Sequence, residues 1–263
     1  MAHVARKRFG QHFLVDRATI ERIVAAIDPK PDDSIVEIGP GLGALTAPLL
    51  QRVHQLHVIE LDRDLAAGLR SRYPADRLVV HQADALEFDF AVLPSPLRVV
   101  GNLPYNISTP LLFHLAQFAG RLKDLHFMLQ REVVERMVSA PSRSEYGRLS
   151  VALQYRFAMH RLLRVPAGAF RPAPKVESAL VRMEPLGAAA LAARDEALLA
   201  RILSNAFSHR RKTLRNALAG LASAEDLAAA GIDPGLRAEN LAVADFVALT
   251  NRLAGRAGAS HSG

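Results

Sequence analysis

Along the first half of the chain the apolar positions switch between two periods. Ser34–Ile38 reads S-I-V-E-I, a short β-branched run that stops at G-P-G-L-G, and helical spacing follows through Ala44–Arg52. The alternation repeats. Gln55–Glu60 is strand-like, a helical pattern runs to about Arg72, and Leu78–His81, Leu97–Val100 and Leu125–Leu129 are further short apolar runs. Strands spaced by such helices form βαβ units, a parallel sheet with both faces covered. The predicted class is α/β. Crossovers in such sheets are right-handed, and ligands sit beyond the carboxyl ends of the strands. G-P-G-L-G, Glu60, Asp84 and Asn102-Leu103-Pro104-Tyr105 all fall at those ends, so they are expected to line one crevice.

After Pro185 the pattern changes. L-G-A-A-A-L-A-A-R-D-E-A-L-L-A-R-I-L is Ala/Leu-rich at helical spacing, and helices continue to Asn251. The expected boundary is Pro185-Leu186-Gly187, giving one domain over 1–185 and a small helical domain over 186–263. The tail, G-R-A-G-A-S-H-S-G, reads as disordered.

Composition narrows the class. No apolar run approaches the ~18 residues of a membrane span, and no apolar core follows the basic opening residues, so neither a span nor a secretory signal is expected. The chain has no cysteine, which removes disulfide and thiolate chemistry and fits a soluble cytoplasmic protein. The ten histidines show no ligand spacing, and no metal is predicted. The net charge of +7 is unevenly placed: 121–182 holds 12 basic and 5 acidic residues, also +7, and the remainder balances. Such a segment can neutralise phosphates and release counterions; the alternative is a solvated surface.

E-I-G-P-G-L-G at 37–43 is a glycine turn between strand and helix, where a missing Cβ lets backbone approach a ligand. Its glycines, Gly39, Gly41 and Gly43, recur every second residue, unlike the dinucleotide pattern G-x-G-x-x-G. Glu60 closes the next strand, where an acid can accept both hydrogen bonds from a ribose diol. Asp84 ends the third strand and can accept from an adenine amino group. Together these fit S-adenosylmethionine better than a nicotinamide cofactor, and no lysine follows the glycines as a phosphate loop requires.

V-V-G-N-L-P-Y-N-I-S-T at 99–109 supplies the other side of the crevice. The N6 amino group of adenine is a poor nucleophile, because its lone pair is delocalised into the ring. Hydrogen-bond acceptors placed on the amino hydrogens pull the nitrogen toward tetrahedral geometry. The Asn102 side-chain oxygen and the Leu103 carbonyl are candidate acceptors, Pro104 fixes the backbone that aims them, and Tyr105 offers a face for an extruded base. A capped strand-to-helix turn explains Pro104 and Ser108 equally well, but leaves Tyr105 unexplained.

N-L-P-Y resembles the target-amino motif of adenine-N6 methyltransferases. Four further stretches resemble the small-subunit ribosomal RNA adenine dimethyltransferases: K-R-F-G-Q-H-F-L (7–14), E-I-G-P-G-L-G (37–43), A-F-R-P-A-P-K-V-E-S (169–178) and A-F-S-H-R-R-K-T-L-R-N-A-L (206–218). The resemblance runs from residue 7 to about 252. It implies a Rossmann-like class I S-adenosylmethionine-dependent methyltransferase domain with a small C-terminal all-α domain. His12, Leu14, Gly39, Gly41, Glu60, Asp84 and Asn102 are then the cofactor-contacting positions, with His12 standing where several members have Asn. The implied substrate is a pair of adjacent adenosines in the hairpin near the 3′ end of 16S rRNA, within the 30S subunit, each becoming N6,N6-dimethyladenosine. The implied protein is a monomer with a role in ribosome biogenesis.

Phe170, before a Pro-x-Pro turn, falls where the resemblance places an aromatic on the face of the target base opposite Tyr105; the plain alternative is a core aromatic at a strand edge. Arg210, Arg211, Lys212 and Arg215 are expected on a helix without a nearby acid, as a phosphate-binding face. Rival readings are the macrolide-resistance methyltransferases of large-subunit rRNA, a non-catalytic factor like the mitochondrial transcription factor B proteins, and a small-molecule methyltransferase. The R-R-K-T-L-R and F-R-P-A-P-K-V-E-S blocks, the intact N-L-P-Y and the basic middle segment argue against them in turn.

Overall fold

The computed structural model describes residues 12–187, 190 and 192–259. The chain divides into two compact units. One comprises the described residues up to Val134 with Ala158–Pro185, the other Glu135–Phe157 with the described residues from Leu186 on.

The first unit is built on strands β1 (Phe13–Leu14), β2 (Ser34–Ile38), β3 (Leu56–Ile59), β4 (Leu78–His81), β5 (Leu97–Asn102), β6 (Leu122–Gln130), β7 (Phe157–Val165), β8 (Phe170–Arg171) and β9 (Ser178–Pro185). Seven form one sheet in the order β4-β3-β2-β5-β6-β9-β7, and β1 pairs with β8. The first five of that order are parallel, and β9 runs antiparallel to β6. The chain winds outward from β2 in both directions, so the order reverses between β2 and β5, where a crevice opens above the carboxyl ends.

Local chemistry sets the elements. Helix α1 (Arg17–Ile27) is capped by Asp16, which accepts from the Thr19 amide at 2.8 Å, and Asp28 closes it in the left-handed region. α2 (Thr46–Leu50) is shorter than its sequence pattern, since the glycine turns run on to Leu45. In α3 (Arg63–Arg72) Asp62 caps the first amides. Val99 and Val100 in β5 are wholly buried, as a strand covered on both faces requires. Gly101 faces Ile38 across the ladder, where an added Cβ would lie 2.6 Å from the Ile38 carbonyl oxygen. That contact explains the glycine before N-L-P-Y.

One buried cation ties the strand bases together. Arg98 donates to both Asp124 oxygens at 2.9 and 2.8 Å, to Asp33 at 2.6 Å and to the Ile27 carbonyl at 2.6 Å. Every guanidinium nitrogen is thus engaged, the condition under which a buried charge is tolerated.

The second unit has its own core. Tyr146, Val151 and Tyr155, flanking and within α6 (Arg148–Gln154), pack with Leu199, Ile202 and Leu203 of α7 (Glu196–Ala206) and Phe246 of the C-terminal helix. The Tyr146 hydroxyl donates to the Leu241 carbonyl at 2.8 Å. These aromatics draw 135–157 away from the 1–185 span to which the sequence pattern assigns it. Two further expectations need correction. The C-terminal helix runs Val243–Ala259, so the start of the supposedly disordered tail is helical; residues 260–263 lie outside the described residues. Arg210–Lys212 occupy a turn after α7, not a helix. Nor is an acid absent, because Arg210 lies 3.3 Å from Glu239 and donates to the Ser144 carbonyl at 2.6 Å. Arg215 alone of the four is helical, in a short helix over Leu214–Ala217.

Candidate active site

The crevice holds a cavity whose wall includes His12, Gly39, Glu60, Asp84, Asn102 and Tyr105. Leu14, Gly41, Leu103 and Pro104 also belong to it. Gly39, Gly41 and Gly43 have φ of 66, 57 and 87°, a region open to glycine at little cost. A Cβ on Gly41 would meet the Phe13 ring at 3.0 Å, so the turn is thinned on the cavity side.

Glu60 is 6% exposed. One carboxylate oxygen accepts from the Gly41 amide at 3.1 Å and the other from the Asp62 amide at 2.8 Å. The glycine turn therefore holds the acid in place, and a carboxylate retains acceptor capacity beyond those two bonds. Burial pushes its carboxyl above the ordinary value, against the two amide bonds that lower it. Asp84 accepts from the Leu86 amide at 2.9 Å, folding the turn after β4 over the cavity.

At the end of β5 the Asn102 amide nitrogen donates to the His12 carbonyl at 2.9 Å. That bond fixes the amide flip, leaving Oδ1 as the side chain's acceptor. The His12 ring bonds the Pro172 carbonyl at 2.8 Å and stacks on Tyr105 with centroids 5.6 Å apart. The Tyr105 hydroxyl shares a 2.8 Å hydrogen bond with Ser178 Oγ, and burial raises its pKa. α4 (Ser108–Ala116) begins where Ser108 Oγ donates to the Tyr105 carbonyl at 2.9 Å.

Phe170 departs from expectation. It is fully buried in the core with Leu14 and Ile23, and its neighbour Ala169 accepts from the Val15 amide at 2.8 Å. The β1–β8 ladder pairs it with Leu14, and it is not among the described residues that line the cavity. Residues 7–11 of the K-R-F-G-Q-H-F-L stretch lie outside the described residues.

Among the cavity residues to which the sequence assigns no individual role are Glu37, Phe13 and Leu61. Leu61 is half exposed and follows Glu60 directly, a placement the pattern offered. Phe13 carried no signal, because its partner Gly41 is distant in sequence. Glu37 is almost fully buried, accepts from Thr46 Oγ1 at 2.6 Å, and is lifted by burial to about 8.

The described residues that line the cavity include four carboxyl groups and neither lysine nor arginine. A phosphate-bearing cofactor would find no cation here. A nucleoside carrying positive charge would find acceptors for its ribose and a field of the matching sign. The thinned turn, the held Glu60 and this charge balance fit S-adenosylmethionine.

A family model described as ribosomal RNA adenine dimethylase matches residues 2–255. The chain belongs to that family. As a dimethylase it is an S-adenosylmethionine-dependent methyltransferase. It is 62% identical to a ribosomal RNA small subunit methyltransferase A of Aromatoleum aromaticum over 97% of this chain and 96% of the relative. To the protein of the same name in Chromobacterium violaceum it is 61% identical, over 95% and 96%. Among solved structures, a dimethyladenosine transferase from Plasmodium falciparum superposes with a TM-score of 0.78 at 25% identity, covering 90% of this chain and 96% of that one. The 23S rRNA methyltransferase ErmE gives 0.68 at 27%, covering 92% and 99%. No helix of the described residues is long and apolar enough to cross a membrane.

Proposed function

We propose that this dimethylase methylates N6 of two adjacent adenosines in the hairpin near the 3′ end of 16S rRNA, converting each to N6,N6-dimethyladenosine. The partner is the 30S subunit, met in the cytoplasm by a single copy of the chain. The 186–263 region, with its exposed Arg211, Lys212 and Arg215, serves as the rRNA-binding part and contributes phosphate contacts.

The observation that carries the reading is the Asn102 amide pinned by the His12 carbonyl. It aims an acceptor oxygen along the same turn that presents the Leu103 carbonyl. Two acceptors on the amino hydrogens of adenine localise the nitrogen lone pair, and Tyr105 supplies the stacking face. Bound S-adenosylmethionine supplies an electrophilic methyl group on a sulfonium. Forming the N–CH3 bond as the sulfonium S–CH3 bond breaks makes the nitrogen cationic, so its proton is then lost to solvent without a strong base, and Asn102 acts as acceptor and orienter. Pro104 holds the acceptors still between substrates, the condition for electrostatic preorganisation.

The test is mass spectrometry of rRNA nucleosides after incubation of unmethylated 30S subunits with isotopically labelled cofactor. Labelled N6,N6-dimethyladenosine in the 3′ hairpin is expected. Label instead in the large-subunit rRNA of 50S subunits incubated in parallel would favour chemistry like that of ErmE. Binding of 30S without any label would favour a non-catalytic role.

A further inference from the structure

Glu37 has no part in the chemistry above, yet it forms part of the cofactor cavity. We propose that Glu37 is the charge sensor of this cavity: it carries a proton in the free enzyme and releases it when a cationic ligand, S-adenosylmethionine, binds. The inference rests on the cofactor assignment and adds to it a proton-linked selection for positive charge.

The geometry separates the two buried acids. Glu60 has each oxygen held by a backbone amide, from Gly41 and Asp62. Glu37, 2% exposed, accepts among the described residues only the Thr46 hydroxyl. Two acids in one poorly hydrated site cannot both ionise cheaply, and the one with more donors keeps the charge. Glu37 therefore holds the proton, in keeping with its rise to about 8 from burial, opposed by Thr46 and reinforced by the Glu60 charge. Among the described residues, the other titratable groups facing the cavity are His12 before β1, Asp62 after β3, Asp84 after β4 and Tyr105 after β5. None of these described groups is a fixed cation, so none of them neutralises Glu37. A ligand bringing a sulfonium and an ammonium supplies what the wall lacks, since an opposite charge within about 4–6 Å favours the ionised carboxyl. The proton passes to solvent and an ion pair remains.

Calorimetric titration at pH 7 in two buffers of different ionisation enthalpy counts the protons released per ligand bound. Two probes share the nucleoside: S-adenosylmethionine and 5′-methylthioadenosine, which has neither cationic group. About one proton should leave with the first and none with the second. Glu37→Gln should bind S-adenosylmethionine without release, which also separates Glu37 from His12. In the unaltered protein, affinity for S-adenosylmethionine should rise by about tenfold per pH unit from pH 6 and level off above pH 8. Equal release by the Gln variant, equal release with methylthioadenosine, or a pH-independent affinity would overturn the inference. A protein that does not bind S-adenosylmethionine at all would overturn the cofactor assignment as well.

Discussion

Tyr105 shows how one side chain divides its duties. Its ring faces the site while its hydroxyl is tied to Ser178 Oγ. Tyr105→Phe keeps the ring and loses one hydrogen bond of about 0.5–1.5 kcal/mol, so kcat/KM on 30S substrate should fall by roughly tenfold at most. Tyr105→Ala loses the stacking surface, worth on the order of 1–3 kcal/mol per base, and should fall further. A Phe variant as inactive as the Ala variant would assign the phenol a direct chemical role. At this scale the sequence was legible for residues in local turns at the strand ends: Glu60, Asp84 and Asn102 all line the cavity. What it hid were partners brought in from afar. The acceptor that fixes the Asn102 amide belongs to His12, 90 residues earlier, and no local pattern announces such a pair.

Among the elements, the five parallel strands were readable because strands covered on both faces are near-continuous apolar runs with glycine or acid at their ends. β4 spans the expected residues, and β5 gains only Gly101 and Asn102. β7 was not readable, since exposed His160 and Arg161 interrupt its apolar positions. β1 and β8 are two residues each, too short to show any period. That short pairing decides the fate of Phe170, turning a candidate base clamp into core. Gly101 gives the element-scale test. Gly101→Ala sets a methyl against the Ile38 carbonyl, a backbone atom that cannot rotate away. Overpacking of this kind costs about 1–3 kcal/mol, which should appear as a lower urea midpoint with unchanged slope.

For the whole molecule, stability at low pH should follow Asp124. The neighbouring His126 and Arg98 hold its carboxyl well below the ordinary range, against burial that raises it. A carboxyl depressed on folding stabilises above its unfolded value of about 3.9, and that contribution drains away as pH falls toward the lower folded value. Asp124→Asn should therefore lose about 3–5 kcal/mol at pH 7, leaving Arg98 under-paired, and show a flatter acid limb below about pH 5 in unfolding measured across pH. The basic segment read as one stretch is shared between the two units, because Glu135–Phe157 joins the helical one. Arg210 is engaged by Glu239 and Ser144, so Arg211 and Lys212 are the better probes of RNA contact. Replacing both with Ala should weaken 30S binding and flatten its log–log salt dependence by roughly 0.7–0.9 per lost phosphate contact, while S-adenosylmethionine affinity stays constant. An unchanged slope would turn these side chains away from RNA.

The clasp between Phe13–Leu14 and Phe170–Arg171 also sets a timetable. The cofactor cradle is assembled from β2, β3 and β4, all within the first third of the chain, whereas the His12–Pro172 bond spans 160 residues. Contacts that close long loops carry a larger entropic cost and form after local ones. During synthesis the residues of β2, β3 and β4, which carry the glycine turn, Glu60 and Asp84, are made well before residue 172. An unfinished chain lacks the Pro172 carbonyl that holds the His12 ring, so the side of the cavity where that ring stacks on Tyr105 is the last to gain its full set of contacts.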